Sequence, residues 1–341
     1  MKKTAIILIL FLIIYPAFLN SQNLIDAVNE VFTGVKTIDV KGNFCSVEFE
    51  ENAGSTVRFE GEIRAIKQYE GLYIKRKKTG DVLEVWIEIP KNVTGQIKGF
   101  LNFSVPRDVL VKISTVSGSV SVSNVGREEL SINTVSGSIT VKNIPCSAKL
   151  ASVSGSITCN LALDDLIVKS TSGNIKVVDI KGDAVISSTS GSLNIKNVMK
   201  NLNANTVSGN INASGAYSKT VCKSTSGKIE LTDIKGFIEA NNMSQSIILN
   251  NVIGEITASS VSGSITGNSV MITGKSSFIT SSGNIYITLL NTNKSVSYDL
   301  RSTIGRVEAD NIKGGNSLII NEGSIKITGS TTSGNIKFNY K

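Results

Sequence analysis

From Thr115 onward, apolar and polar residues follow a pattern that repeats about every 18 residues. Each unit opens on the phrase Ser/Thr-x-Ser-Gly, seen at Thr115–Gly118, Thr134–Gly137, Ser152–Gly155, Ser170–Gly173, Ser188–Gly191, Thr206–Gly209, Ser224–Gly227, Ser260–Gly263 and Thr280–Gly283. Successive glycines are 19 residues apart, then 18 five times, then 36 across a unit with Gln245 in the glycine position, then 20. Counting from the glycine, apolar residues fall at +2, +4, +7, +11 and +13, as in Ile175, Val177, Ile180, Ala184 and Ile186. A spacing of two is a strand with one buried face, and the change of phase after +4 is a turn. The turn often reads Asn/Asp-Ile-Lys-Gly, as at Asp179–Gly182 and Asp233–Gly236, residue types that accept positive φ at little cost.

One such unit, with two or three short strands, has too little apolar surface to fold alone, so units must stack. Stacking turns position +2 into a column from Val120 through Ile139, Ile157 and Ile175 to Ile285. The expected fold is all-β: a right-handed parallel β-solenoid of about 18 residues per coil and about ten coils, close to 50 Å long. After Gly283 the intervals lengthen to Gly305 and Gly334, and the C-terminal coils show no obvious cap, which leaves end-to-end self-assembly open.

Before the repeats, Thr37–Gly42, Ser46–Glu50, Thr56–Glu60, Leu72–Arg76 and Val82–Ile89 alternate like antiparallel strands with one wet face. The chain therefore divides into a signal peptide over 1–21, a short linker or helix over 22–34 (Leu24 to Phe32 reads as weakly helical), a β-strand cap region over 35–110 and a solenoid over 111–341. The signal peptide rests on Lys2-Lys3 ahead of the apolar run Ala5–Leu19, which falls short of the ~20 residues that span a bilayer. Export follows, to the periplasm, the cell surface or the medium, with no transmembrane span after signal removal.

Charge and rare residues narrow the function. The net charge of +8 falls to +6 without Lys2 and Lys3, and it is scattered. With 6% aromatic residues and an exported chain, no nucleic-acid partner is expected. The densest basic run, Lys75-Arg76-Lys77-Lys78, reads as a solvated hairpin end beside Thr79-Gly80. Histidine is absent, which removes Ser-His-Asp and Cys-His catalysis and His-ligated zinc. Cys45, Cys146, Cys159 and Cys222 form no CxxC pair, and Cys159 and Cys222 occupy core positions +4 and +13. The serine before each glycine, Ser117 to Ser282, forms a column with no recurring base, so its hydroxyls are expected to bond along the rod or to the turn backbone.

Val105-Pro106-Arg107 and the run Thr115–Val122 with its successors resemble the bacterial "putative adhesin" family of β-strand repeat proteins, related to the GIN domain of autotransporter adhesin heads; the resemblance covers residues 35 to 341. It implies an extracytoplasmic β-helix-like protein and supplies no catalytic residues. The expectation is a non-catalytic adhesin-like binding or scaffold protein, with no catalytic, cofactor or metal site, acting on a cell-surface or extracellular polysaccharide or another surface protein. Two alternatives stand beside it. A polysaccharide-degrading β-helix enzyme would need clustered acids, whereas Asp164-Asp165 and Asp183 look isolated; a self-assembling structural surface protein would need an open rod end.

Overall fold

A computed structural model describes residues 22–341; the segment read as a signal peptide lies outside the described residues. Strands make up 65% of the chain, and the one helical element among the described residues is a 3-10 turn at Asn293–Ser295. Each coil contributes two strands, for example Ile175–Ile180 and Ala184–Ser188. Each strand pairs in parallel and in register with its counterparts one coil away: Ile157↔Ile175↔Leu193 on one side, Leu166↔Ala184↔Leu202 on the other. The result is a flattened solenoid of two parallel sheets. The first sheet holds the strands that follow each glycine, and the second holds those that precede the next.

The apolar positions meet between the sheets, where Ile175, Val177, Ile180, Ala184 and Ile186 are all buried, as is the +2 column from Val120 to Ile285. Position +6 bends the first strand. Asn124, Asn143, Leu161, Asp179, Asn197, Gly215, Asp233, Asn251 and Ser269 all sit there with φ between 50° and 68°. That left-handed conformation explains the Asn/Asp preference, and the side chains then bond from coil to coil, as in Asn197 Nδ2 to Asp179 Oδ1 at 2.8 Å.

The repeat glycine has a different cause. A Cβ on Gly155, Gly173, Gly191, Gly209 or Gly227 would lie 1.8–2.0 Å from the carbonyl oxygen of the preceding coil's glycine. Neighbouring coils touch backbone to backbone at this corner, which favours glycine in every coil but the one with Gln245, where the −3 residue changes as well.

Both ends depart from simple stacking. Strands Thr37–Asn43 and Ser46–Glu51, expected as antiparallel, are parallel members of the solenoid. The first lies between Val82–Glu88 and Leu110–Thr115, the second between Ile97–Val105 and Val120–Ser123. The alternation was read correctly as a half-buried face, but that face is the same whichever way the partner strand runs. Antiparallel pairing is confined to the outermost layer, where Thr56–Ala65 covers Ile97–Val105 and Tyr73–Thr79 covers Val82–Glu88. Residues 23–33 correct the linker-or-helix expectation: Asn23–Thr33 is an edge strand antiparallel to Thr56–Ala65. Val28 is its buried apolar residue, too little for a helical face to dock, whereas strand pairing satisfies its backbone.

The C-terminal end mirrors this arrangement. Ile325–Ser333 and Ile336–Tyr340 insert between the coil of Ser276–Leu289 and that of Val296–Ala309. The stacking order of the glycines is therefore Gly283, Gly334, Gly305, which accounts for the lengthened intervals. The end expected to be uncapped carries antiparallel Ser317–Ile320 and Ile312–Gly314 over the outer coil. With the end layers included, the second sheet is sixteen strands deep, about 70 Å, longer than the repeats alone imply.

Candidate binding surface

The phrase Ser/Thr-x-Ser-Gly builds a corner of the solenoid, and its first residue, at −3, points inward. Thr134, Ser152, Ser170, Ser188, Thr206, Ser224 and Ser260 are all buried. Each accepts a hydrogen bond from the amide of its own glycine, as Ser188 Oγ does from Gly191 N at 2.8 Å and Thr206 Oγ1 from Gly209 N at 3.1 Å. Several also donate to the glycine carbonyl of the preceding coil: Thr206 to Gly191 O at 3.4 Å, Ser224 to Gly209 O at 3.3 Å, Thr280 to Gly263 O at 2.9 Å. This column satisfies buried backbone groups that the tight corner would otherwise strand.

The serine column expected to do that work, at −1, is exposed, and its hydroxyls make no hydrogen bond among the described residues; only its backbone is engaged, as in Ser172 N to Val153 O at 2.8 Å. The signal for the true column was the unbroken run of Ser, Thr or Asn at −3. The coil with Gln245 in the glycine position adjusts both places together: Asn242 replaces the hydroxyl and reaches Gly227 O at 2.6 Å while accepting from Gln245 N at 3.0 Å.

Outside this buried column runs a shallow groove. One wall is position −2, facing solvent: Val153, Val207, Met243 and Val261 are 45–53% exposed and alternate with Thr171 and Thr225. The other wall is position −4, with Lys169, Ser187, Asn205, Lys223, Asn241 and Ser259 in consecutive coils. Hollows of about 450 Å³ over residues 187–261 and about 370 Å³ over residues 133–171 have the same walls and are segments of one groove. Lys223 pairs with Glu239 at 2.9 Å, and that hydrogen bond holds the Glu239 carboxyl below the usual carboxylate range. The groove thus offers amide and hydroxyl groups, ammonium groups and branched apolar side chains at a fixed ~4.8 Å repeat.

The other chemical candidates are occupied structurally. Asp165 accepts from Asp183 N at 2.8 Å, Asp183 from Asn201 N at 3.0 Å, and Asp164 from Ser147 Oγ at 3.0 Å. These acids form a ladder at the opposite corner rather than a pair flanking a cleft. No group of three or more potential metal ligands occurs among the described residues. The basic run lies in the hairpin Tyr73–Thr79/Val82–Glu88, where Lys75 pairs with Glu88 at 3.3 Å and Arg76 with Glu30.

All four cysteines are free and buried. Burial pushes the thiols of Cys45, Cys159 and Cys222 up to about 12. The unfolded chain releases these protons near the ordinary thiol value of about 8.5, so between there and about pH 12 the unfolded state binds fewer protons than the folded one. Stability should therefore be insensitive to these groups below about pH 8 and fall as pH rises beyond 9. Urea midpoints at pH 7.5, 9 and 10.5 measure this, and the alkaline slope should shrink in Cys222→Ala; a slope unchanged by the substitution would contradict it.

Stacked coils of two parallel strands, with the same corner repeated in each, define a repeat protein of the parallel β-solenoid class. The chain belongs to the Toastrack DUF4097 family, which it matches over residues 79–231 and 160–339. No curated protein matches it. A solved structure described as "a putative cell adhesion protein" from Clostridium sporogenes ATCC 15579 is similar at 11% identity, covering 92% of this chain and 100% of that one, with a TM-score of 0.19; a likeness this distant bears no argument.

Proposed function

We propose that the protein is an exported, non-catalytic adhesin-like binding or scaffold protein that presents its solenoid surface to a polysaccharide or to another surface protein. The observation that carries this reading is the groove, which runs over about eight coils and sets one −4 side chain (Lys, Asn, Ser or Ala) and one −2 side chain (Val, Thr or Met) per coil at a fixed spacing. A repetitive polymer can match such a surface in many registers, each contact weak and the sum large. The reading is non-catalytic because the acids that a glycosidase or lyase would use hold turns together. A relation to GIN-domain adhesin heads belongs to the same proposal.

The test is incubation of the chain from Gln22 onward with cell-wall and acidic polysaccharides, scoring co-sedimentation and the release of new chain ends. Retention without new ends, weakened in Lys169→Ala/Asn205→Ala/Lys223→Ala, supports the proposal. New chain ends produced by repurified protein would overturn the non-catalytic reading. No retention by any polysaccharide would remove the polysaccharide and leave a protein partner or self-assembly.

A further inference from the structure

The groove differs in charge along its length. Over residues 187–261 it forms one hollow of about 450 Å³, with Ser187, Asn205, Lys223, Asn241 and Ser259 on one wall and Val207, Thr225, Met243 and Val261 on the other. Among its lining residues only Lys223 is charged, and Glu239 beside it offsets that charge at 2.9 Å. Glu239 also accepts from Asn241 Nδ2 at 2.8 Å. Lys169, the other cation of the groove walls, lies one coil outside the hollow. The hollow is therefore polar without net charge.

What the hollow leaves free dictates the shape of its ligand. The coils run across the groove, and their backbone groups bond to one another. Ala184–Ser188 and Leu202–Thr206 are paired along both edges. At the corner Ser190 N donates to Thr171 O, Ser208 N to Thr189 O and Ser226 N to Val207 O, at 2.8–2.9 Å. A peptide therefore finds no strand edge to extend along the groove. Its residues also fall out of step, advancing about 3.3 Å as a strand or about 3.1 Å as a polyproline helix against about 4.8 Å for the coils. What remains for a ligand is side chains at the coil spacing, one hydrogen-bonding group facing one apolar or methyl-bearing group in each coil.

We propose that this hollow binds a neutral polysaccharide of equatorially linked pyranoses, laid along the rod with one sugar per coil. The inference rests on the polysaccharide reading above and specifies its ligand and register. In a flat, extended chain of this kind each pyranose advances by nearly the coil spacing, so successive sugars meet successive coils. Ring hydroxyls exchange hydrogen bonds with the hydroxyl, amide and ammonium wall, while ring C–H groups lie on the valine, threonine methyl and methionine wall opposite. The five coils from Ser187 to Ser259 hold five sugars. An axially linked chain of the same sugar coils, and it leaves the line of the groove after one or two units.

Chemical-shift titration of the chain from Gln22 onward tests it, with cello-oligosaccharides and chito-oligosaccharides of one to eight units and malto-oligosaccharides as the axially linked comparison. In at least one equatorial series affinity should rise about fivefold with each added sugar up to the fifth, the factor that one net hydrogen bond supplies, and then flatten. The shifts should fall on residues 187–261, and added salt should leave the affinity unchanged, as a neutral ligand requires. The axial series should gain nothing beyond the disaccharide. Asn205→Ala/Asn241→Ala should weaken pentasaccharide binding about twentyfold, two such bonds, whereas Asn133→Ala, outside the hollow, should leave it unchanged. Gains that stop at two sugars, equal gains in the axial series, or loss of affinity in salt would overturn this inference while leaving a polysaccharide-binding groove standing. No binding in either equatorial series would also overturn it, and the sedimentation panel then separates a different polysaccharide from none. Should the double variant fail to fold, the length and linkage dependence of the parent protein still decide.

Discussion

Replacing Gly191 with alanine is expected to cost about 3 kcal/mol or more, because the new Cβ lies 2.0 Å from the Gly173 carbonyl oxygen. Overpacking in a well-packed interior costs about 1–3 kcal/mol when side chains can shift. Here the obstacle is backbone, held on both sides by inter-coil hydrogen bonds, so relief means opening the corner. The small entropic gain of alanine over glycine in the unfolded chain, below about 1 kcal/mol, does not offset it. Gly315→Ala is the matched control: nothing lies within 4 Å of its Cβ position, and its stability should stay within about 0.5 kcal/mol of the parent. Urea unfolding followed by far-UV circular dichroism compares them, and equal midpoints would sink the close-approach explanation. The coil at Asn242–Gln245 supplies a second check, since it already carries a side chain in the glycine position. Ser188→Asn should recover part of the stability lost in Gly191→Gln, as Asn242 does for Gln245.

Phe103→Ala is expected to cost about 3–5 kcal/mol, the range for emptying a buried aromatic site. Its ring stacks on Phe49 at 4.4 Å and on Phe59 at 4.7 Å, and it is 2% exposed. These three rings join the outer coil of Ile97–Val105, the inserted strand Ser46–Glu51 and the covering strand Thr56–Ala65. In a stacked array each layer leans on its neighbours alone, so the loss should stay at that end. Hydrogen exchange should accelerate over residues 37–105 and remain slow over 175–232. Uncovering the parallel strands also exposes an unpaired edge, so the variant should self-associate more readily than the parent. Uniform acceleration along the whole rod would contradict the layered account.

The groove was only partly legible in the sequence. The −2 stripe of valine and threonine could be read as a column, but its outward direction depends on which way the chain turns at the corner. The exposed serine at −1 drew attention because it is invariant through the middle coils, while the hydroxyl at −3 carries the hydrogen bonds. Both are small and polar, and only the corner geometry separates a residue that points at a glycine amide from one that points at water.

What the sequence determined by itself was everything periodic: the 18-residue coil, the buried columns at +2, +4, +7, +11 and +13, and the left-handed turn favouring Asn and Asp. Periodic features repeat one local decision, and each repetition reinforces the reading. What only the tertiary structure decided was the order and direction of strands at both ends, the strand at Asn23–Thr33, and the backbone contact that favours glycine at the corner. Alternation records that one face of a strand is buried. It carries no mark of whether the neighbour is the next strand or one fifty residues away, or whether that neighbour runs parallel, because the apolar face meets the same core in every case.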